Sequence, residues 1–373
     1  MRLLYFGSDH PWPDLLKEGF RRRNTWLLKT FNESTYFSEV INVRKTTFGS
    51  FFVKLFRPCY GKHYHDLYYT SFFPVWLKGS FFRMADRLLN RLFFLIQGYR
   101  NLSRNENIIF CYWPKGYTQA RELKLRGRYF LDTDHNIIDD ENLHSHKKEE
   151  QEKLLLDAGK NCEYVISGAR SMLKWYFEHG FENIYFMRNG IYPKPFEEAE
   201  PAILGFGKPV IGYIGTISKW IDYQALDYLI RKNPSWNFLV YGAAFKNKIS
   251  EELATQPNCH FMGPLKPENV PETIKSFTAG LNLYRNESWL DVDSMKIYEY
   301  LAAGTPVVSL EYHPFLVEDF DGLLYLAKDA EEMDRILNDI VKGNIRPRDA
   351  GQFLEENSWK QRVDAFYEEI IRK

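Results

Sequence analysis

Short apolar runs recur along the chain, each closed by Gly, Pro, Asn or Ser and followed by a stretch whose apolar positions repeat every three to four residues. Runs of that length read as buried strands, and the longer periodic stretches as amphipathic helices. Strands are predicted at 2–7, 40–43, 108–113 (closed by Pro114), 128–131, 164–167 and 184–191, then at 209–215, 237–242, 259–263, 280–284 and from Pro306. Helices are predicted over 14–31, 80–97, 147–159 and 169–179, then over 222–232, 267–278, 294–303 and 330–342. Ser358-Trp-Lys-Gln361 has the spelling of a capping box and opens a last helix to 371. Strands alternating with helices give an α/β chain with parallel sheets. Pro193, Pro195, Pro201 and Pro209, interleaved with Glu197, Glu198 and Glu200, read as a linker. The linker divides the chain into 1–200 and 201–357, with helix 358–371 expected to pack back on the first domain.

The richest stretch runs from Asp291 to Ser309. Ser294 is placed to open a helix, and Gly304 to end it in a left-handed residue. A helix start offers N–H groups without intrahelical partners at the positive end of the dipole, which suits a phosphate. Lys296 adds a full charge there. Glu299 shares the face of Met295 and Lys296 one turn deeper, where a carboxylate accepts from two adjacent ribose hydroxyls. Asp291 lies eight residues before Glu299, in the loop facing the same opening. Gly215 and Thr216 after one strand, and Tyr241 and Gly242 after another, are further candidates for donor contact, the glycines because they let backbone approach a ligand.

An acid, seven residues, then Glu before Ala302-Ala-Gly-Thr-Pro-Val-Val308 resembles the nucleotide-sugar site of GT-B glycosyltransferases. The resemblance implies two Rossmann-like α/β/α domains facing a cleft, an N-terminal domain for the acceptor and a C-terminal one for the donor. Asp291 stands where the family usually has Glu, and Tyr192 where it often has Asp. Ser294-Met-Lys296 with a basic, aromatic first domain is similar to bacterial membrane-associated glucuronosyltransferases of exopolysaccharide and teichuronic acid assembly. The implied activity is hexosyl transfer from a nucleotide diphosphate sugar, UDP-sugar favoured and UDP-glucuronate a candidate, to a glycan or lipid-linked saccharide. No cofactor or metal is expected, since Lys296 and the helix dipole can stabilise the leaving diphosphate. Acids at the end of strand 128–131 point into an α/β cleft, which makes Asp134, Asp132 and His135 the candidates for a base, Asp134 preferred; the alternative for Asp132 is a cap on the following turn.

Charge is balanced overall, with 49 basic and 49 acidic residues, but residues 1–100 hold 16 Lys and Arg against 7 Asp and Glu. Within 80–97, Arg83, Arg87 and Arg91 form a basic stripe bordered by Phe and Leu, flanked by 51–57 and 72–78. That mix suits peripheral attachment to an anionic membrane, and the stripe is also a candidate acceptor surface. Single-stranded nucleic acid would accept the same mix, but no nucleic-acid motif accompanies it, so no nucleic-acid partner is expected. Cys59, Cys111, Cys162 and Cys259 are scattered, no apolar run reaches membrane-spanning length, and the start lacks a signal-peptide pattern. The expectation is a cytoplasmic protein on the inner face of the cell membrane. Two alternatives have sequence support: a GT-A transferase holding a metal through Asp132-Thr-Asp134 or Asp291-Val-Asp293, and a sugar-nucleotide epimerase or non-catalytic binder on the GT-B fold.

Overall fold

A computed structural model of the chain describes every residue except 9, 11, 21, 56–62, 74–78, 98, 100, 101, 103, 137, 139–144, 218, 219, 244–247 and 286–290. Cys59 and parts of the flanking segments 51–57 and 72–78 therefore lie outside the described residues. The chain divides into two compact units, Met1–Arg188 with Val363–Lys373, and Asn189–Arg362.

The first unit holds seven parallel strands: β1 Arg2–Phe6, β2 Glu39–Lys45, β3 Tyr64–Tyr69, β4 Asn107–Tyr112, β5 Arg128–Thr133, β6 Tyr164–Ser167 and β7 Ile184–Phe186. Their order is β3-β2-β1-β4-β5-β6-β7. The second holds β8 Val210–Ile214, β9 Asn237–Tyr241, β10 Cys259–Gly263, β11 Ala279–Asn282, β12 Val307–Leu310 and β13 Tyr325–Ala327, in the order β10-β9-β8-β11-β12-β13. Strands buried on both faces carry near-continuous apolar runs, as Leu3 to Phe6 and Ile108 to Cys111 do. In each unit the order reverses direction once, between β1 and β4 and between β8 and β11. Crevices at the carboxyl ends of strands flanking such a reversal are where open α/β sheets take ligands.

Several expectations need correction. The helix read over 14–31 is two helices, Trp12–Glu18 and Arg23–Glu33, because Gly19 adopts φ +80° between them. Pro114 does not close a strand; it sits in the first turn of helix Trp113–Glu122, where its missing N–H leaves no bond unmade. The strand read over 184–191 ends at Phe186, and that over 280–284 ends at Asn282. The region 267–278 is a short 3₁₀ turn followed by helix Val270–Lys275. β3, Phe48–Leu55 and β13 were not anticipated.

Residues 189–200, assigned to the first domain on proline content, belong to the second unit. Phe196 is buried in its core, Lys275 Nζ donates to the carbonyls of Glu197 and Ala199, and the Ala202 N–H bonds to Glu272 O at 3.0 Å. At the other end, Ser358 Oγ accepts the Gln361 N–H at 3.2 Å, and helix Trp359–Phe366 carries the chain into the first unit, where Phe366 packs against Phe31, Phe110 and Phe130.

Candidate active site

The second unit's reversal point is occupied by a buried cation. Lys296 is the second residue of helix Met295–Ala302 and is 7% exposed. Its Nζ lies 3.4 Å from both Asn282 Oδ1 and Ser294 Oγ, over the Tyr284 ring at 4.0 Å and the Tyr213 ring at 5.3 Å. None of the ion pairs among the described residues includes it. Taking an ammonium out of water costs several kcal/mol unless it is paired, and polar oxygens and ring faces offset only part of that. An anion placed against Lys296 would complete the balance, and the start of the same helix adds N–H donors and dipole.

The surrounding backbone is shaped for close approach. Asn282 ends β11 fully buried, and its Nδ2 donates to Ser309 Oγ on the neighbouring β12 at 2.9 Å, which turns Oδ1 toward Lys296. Gly215 follows β8 at φ +144°, and a β-carbon there would meet Lys296 Cε at 3.1 Å. Gly242 follows β9 at φ +151°, and a β-carbon there would fall 1.8 Å from Gly215 O. Only glycine fits this crossing of two loops at backbone distance. Glu299 is half-buried one turn beyond Lys296; burial pushes its carboxyl up to about 7, against the lowering effect of Lys296.

Residues 208–342 match the family model described as glycosyl transferases group 1. This segment is a group 1 glycosyl transferase domain. Over 137 residues the chain is 30% identical to TuaH of Bacillus subtilis (strain 168), named as a teichuronic acid biosynthesis glycosyltransferase; the match covers 35% of this chain and 34% of that protein. The matched part thus spans about a third of that relative's length. Across its whole length the chain superposes on HepE of Anabaena, solved in complex with UDP and glucose, with a TM-score of 0.68 at 12% identity and 100% of both chains covered. It also superposes on the lipopolysaccharide outer core galactosyltransferase WaaB, with a TM-score of 0.57 at 16% identity and 98% of both chains covered. The chain has the GT-B glycosyltransferase fold.

Within the glycosyl transferase domain the sequence-predicted residues divide. Gly215, Gly242, Ser294, Lys296 and Glu299 gather around the reversal point as described. Ser294 makes no side-chain cap; its hydroxyl turns to Asn282 and Lys296 instead. Tyr241 does not face the site, since its ring is buried in the core beside Phe277. Thr216 is exposed, with its carbonyl accepting from the Tyr213 hydroxyl at 3.2 Å, and Met295 and Asp291 are half-buried at the helix start and in the loop before it. Asp293 is spent on structure: it accepts the Asn189 N–H and, at 3.1 Å, the Tyr298 hydroxyl. Asn282, Tyr284 and Tyr213 were missed. An Asn amid the apolar run Gly280-Leu-Asn-Leu283 was the available signal.

In the first unit, Asp132 is 0% exposed and paired with Arg23, Nε to Oδ2 at 2.9 Å and Nη2 to Oδ1 at 3.0 Å. So enclosed, it neither caps a turn nor meets a substrate, which corrects its reading as a base. Asp134 Oδ2 accepts from the Tyr112 hydroxyl at 2.7 Å, and Oδ1 lies 2.8 Å from His135 Nδ1. Burial pushes the Asp134 carboxyl up, but His135, Tyr112 and Arg23 together outweigh it and hold the group below its ordinary range. The His135 ring meets Trp113 edge-on at 4.8 Å. Trp113 follows β4 with φ +63°, a left-handed conformation costly for a bulky residue. Gly7 after β1 packs so tightly that a β-carbon would lie 2.5 Å from Tyr112 Cβ. The Asp134 and His135 pair thus follows β5 and is tied through Tyr112 to the end of β4, one of the two strands flanking the first unit's reversal.

Glu299 supplies a ligand-independent prediction. Its folded pKa of about 7 exceeds the ordinary value of 4.5, so its contribution to stability is fully present below pH 4.5 and is lost as pH rises through 7. Carbon-13 NMR of the carboxyl should show a midpoint near 7, and Lys296→Met should raise it further. A midpoint near 4.5 would mean that the carboxylate is solvated and the site more open than described.

Proposed function

We propose that this protein transfers a hexosyl group from a UDP-sugar to a saccharide acceptor, as a glycan or lipid-linked chain, in the assembly of a cell-surface polysaccharide. The observation that carries the reading is the buried Lys296 ammonium, without a carboxylate partner among the described residues, at the reversal point of a segment that matches the group 1 glycosyl transferases. Its charge and the helix N–H groups suit a diphosphate, both in the bound donor and as the leaving group on which negative charge develops. Glu299, one turn deeper, suits the ribose hydroxyls, and bonding there would favour its ionised form. Uridine is favoured by the UDP and UDP-glucose complexes of HepE, and the polysaccharide setting by the likeness to TuaH. UDP-glucuronate is the candidate donor if the charge near Lys296 also meets a uronic carboxylate.

The acceptor hydroxyl loses its proton as the glycosidic bond forms, and the first unit offers the Asp134 and His135 pair for it. Asp134, held ionised, orients the imidazole through Nδ1 and stabilises it if it becomes charged. A metal-held diphosphate is disfavoured by the donor set: Asp132 is committed to Arg23, and Asp293 to Asn189 and Tyr298, so neither Asp-x-Asp pair presents two available carboxylates. Lys296 takes the metal's place.

Lys296→Ala should weaken UDP binding by more than tenfold in calorimetry, a charge-assisted contact being worth about 1.5–3 kcal/mol; unchanged affinity would remove the donor site and the function with it. Asp134→Asn should slow transfer by about 10²-fold or more while UDP affinity holds, the usual weight of a proton-transfer group. Near-normal transfer would instead point to a route without a protein base, in which the acids near the donor do the work. Transfer should persist in EDTA; loss of turnover restored by magnesium or manganese would revive metal-held chemistry.

A further inference from the structure

Helix Ser80–Ile96 is built inside out. Among the described residues the sheet of the first unit ends at β3, whose outer edge has no strand partner. The helix covers that edge with polar side chains. Gln97 Oε1 accepts the Tyr68 N–H at 2.9 Å, and its Nε2 donates to Tyr68 O at 2.9 Å. Asn90 repeats the same double bond with Thr70, and Asp86 accepts the Phe72 N–H at 2.7 Å. The residues turned to the sheet are therefore Asp86, Asn90, Phe93, Phe94 and Gln97, a stripe dominated by bonds to backbone rather than by core packing.

The opposite face carries Phe81, Met84, Leu88, Leu92, Leu95 and Ile96, all exposed, Phe81 at 66% and Leu88 at 55%. Their spacing places them on one side of the helix, a continuous apolar face of the kind that marks an interaction site. Arg83, Arg87 and Arg91 run along its border, Arg83 and Arg91 exposed and Arg87 half-buried. Asp86, the one acid on the helix, is turned to the sheet. A face that joins an apolar row to a purely cationic border matches the acyl boundary and anionic headgroups of a bilayer in a way that an ordinary protein partner, with charges of both signs, does not. No helix among the described residues is long and apolar enough to cross a membrane, so this one would lie in the interface plane.

We propose that helix Ser80–Ile96 docks the first unit on an anionic phospholipid surface, with the Phe81 to Ile96 row entering the acyl boundary and the three arginines on lipid phosphates. The inference needs neither the nucleotide site nor transfer activity. The full-length protein should float with vesicles of equal parts phosphatidylcholine and phosphatidylglycerol, and far less with phosphatidylcholine alone. Leu88→Asp with Leu92→Asp should abolish flotation with both; Arg83→Glu, Arg87→Glu and Arg91→Glu together should weaken partitioning to the anionic vesicles by about 100-fold or more. Leu88, Leu92, Arg83 and Arg91 are exposed and Arg87 is half-buried at the border, so circular dichroism and the melting temperature should hold, and the arginine variant tests the surface even if the aspartates disturb the helix. Wild-type protein left behind by the anionic vesicles would overturn the proposal, as would flotation unchanged in either variant. A dimer by light scattering that the aspartates dissolve, without vesicle binding, would overturn it in favour of a second copy of the chain.

Discussion

The second unit is arranged around an ammonium that is out of water and has no counter-ion among the described residues. Such a group is costly wherever it is placed, and its position survives because every neighbour is fixed in advance. The β11 and β12 register sets Asn282 beside Ser309, and that pair orients the amide oxygen toward Lys296. Asp293 ties the loop before the helix to the segment at Asn189 and to Tyr298 within the helix. The Tyr300 hydroxyl accepts the Ile214 N–H at 2.9 Å and donates to Leu281 O at 3.4 Å, bridging the two strands that flank the reversal. Each of these contacts is structural on its own, and together they aim one charge.

How much of this was legible depends on whether the signal was local. Lys296, Glu299 and the glycines were readable because a helix start and a tight backbone approach leave marks in adjacent residues. Asn282, Tyr213 and Tyr284 were not, because their role exists only once β8 and β11 lie side by side. Asp132 misled for the same reason: an acid after a buried strand looks catalytic until the fold brings Arg23, more than a hundred residues away in sequence, against it. Tyr241 misled in another way, since an aromatic at a strand's end serves a core as well as a cleft. Proline content misplaced the boundary at 200, because Phe196 and Lys275 bind that segment to the second unit whatever its backbone preferences.

The two units solve the same problem with opposite choices. In the first unit the buried arginine at the start of helix Arg23–Glu33 is given a carboxylate on β5, Asp132, and the pair is closed to solvent. At β8 and β11 the buried lysine is given amide and hydroxyl oxygens and two aromatic faces, none carrying a full negative charge. The first arrangement is complete as it stands and can only support its neighbours, Tyr112, Asp134 and His135. The second has no anion among the described residues.

The edge of the first sheet carries the same logic to the surface. An exposed parallel edge can be covered by an apolar helix face, which would have left polar residues outward. Here the cover is made by side-chain amides and a carboxylate that mimic the missing strand, bonding both to N–H and to C=O of Tyr68 and Thr70. That choice satisfies the edge, and while Phe93 and Phe94 still pack inward, it leaves six of the helix's apolar residues outside the core. Keeping six large apolar side chains in water is unfavourable at every one of them, and a simpler packing with the helix rolled over would remove the cost. A surface that received that face would offset the cost, as an anion against Lys296 would offset the burial of its charge.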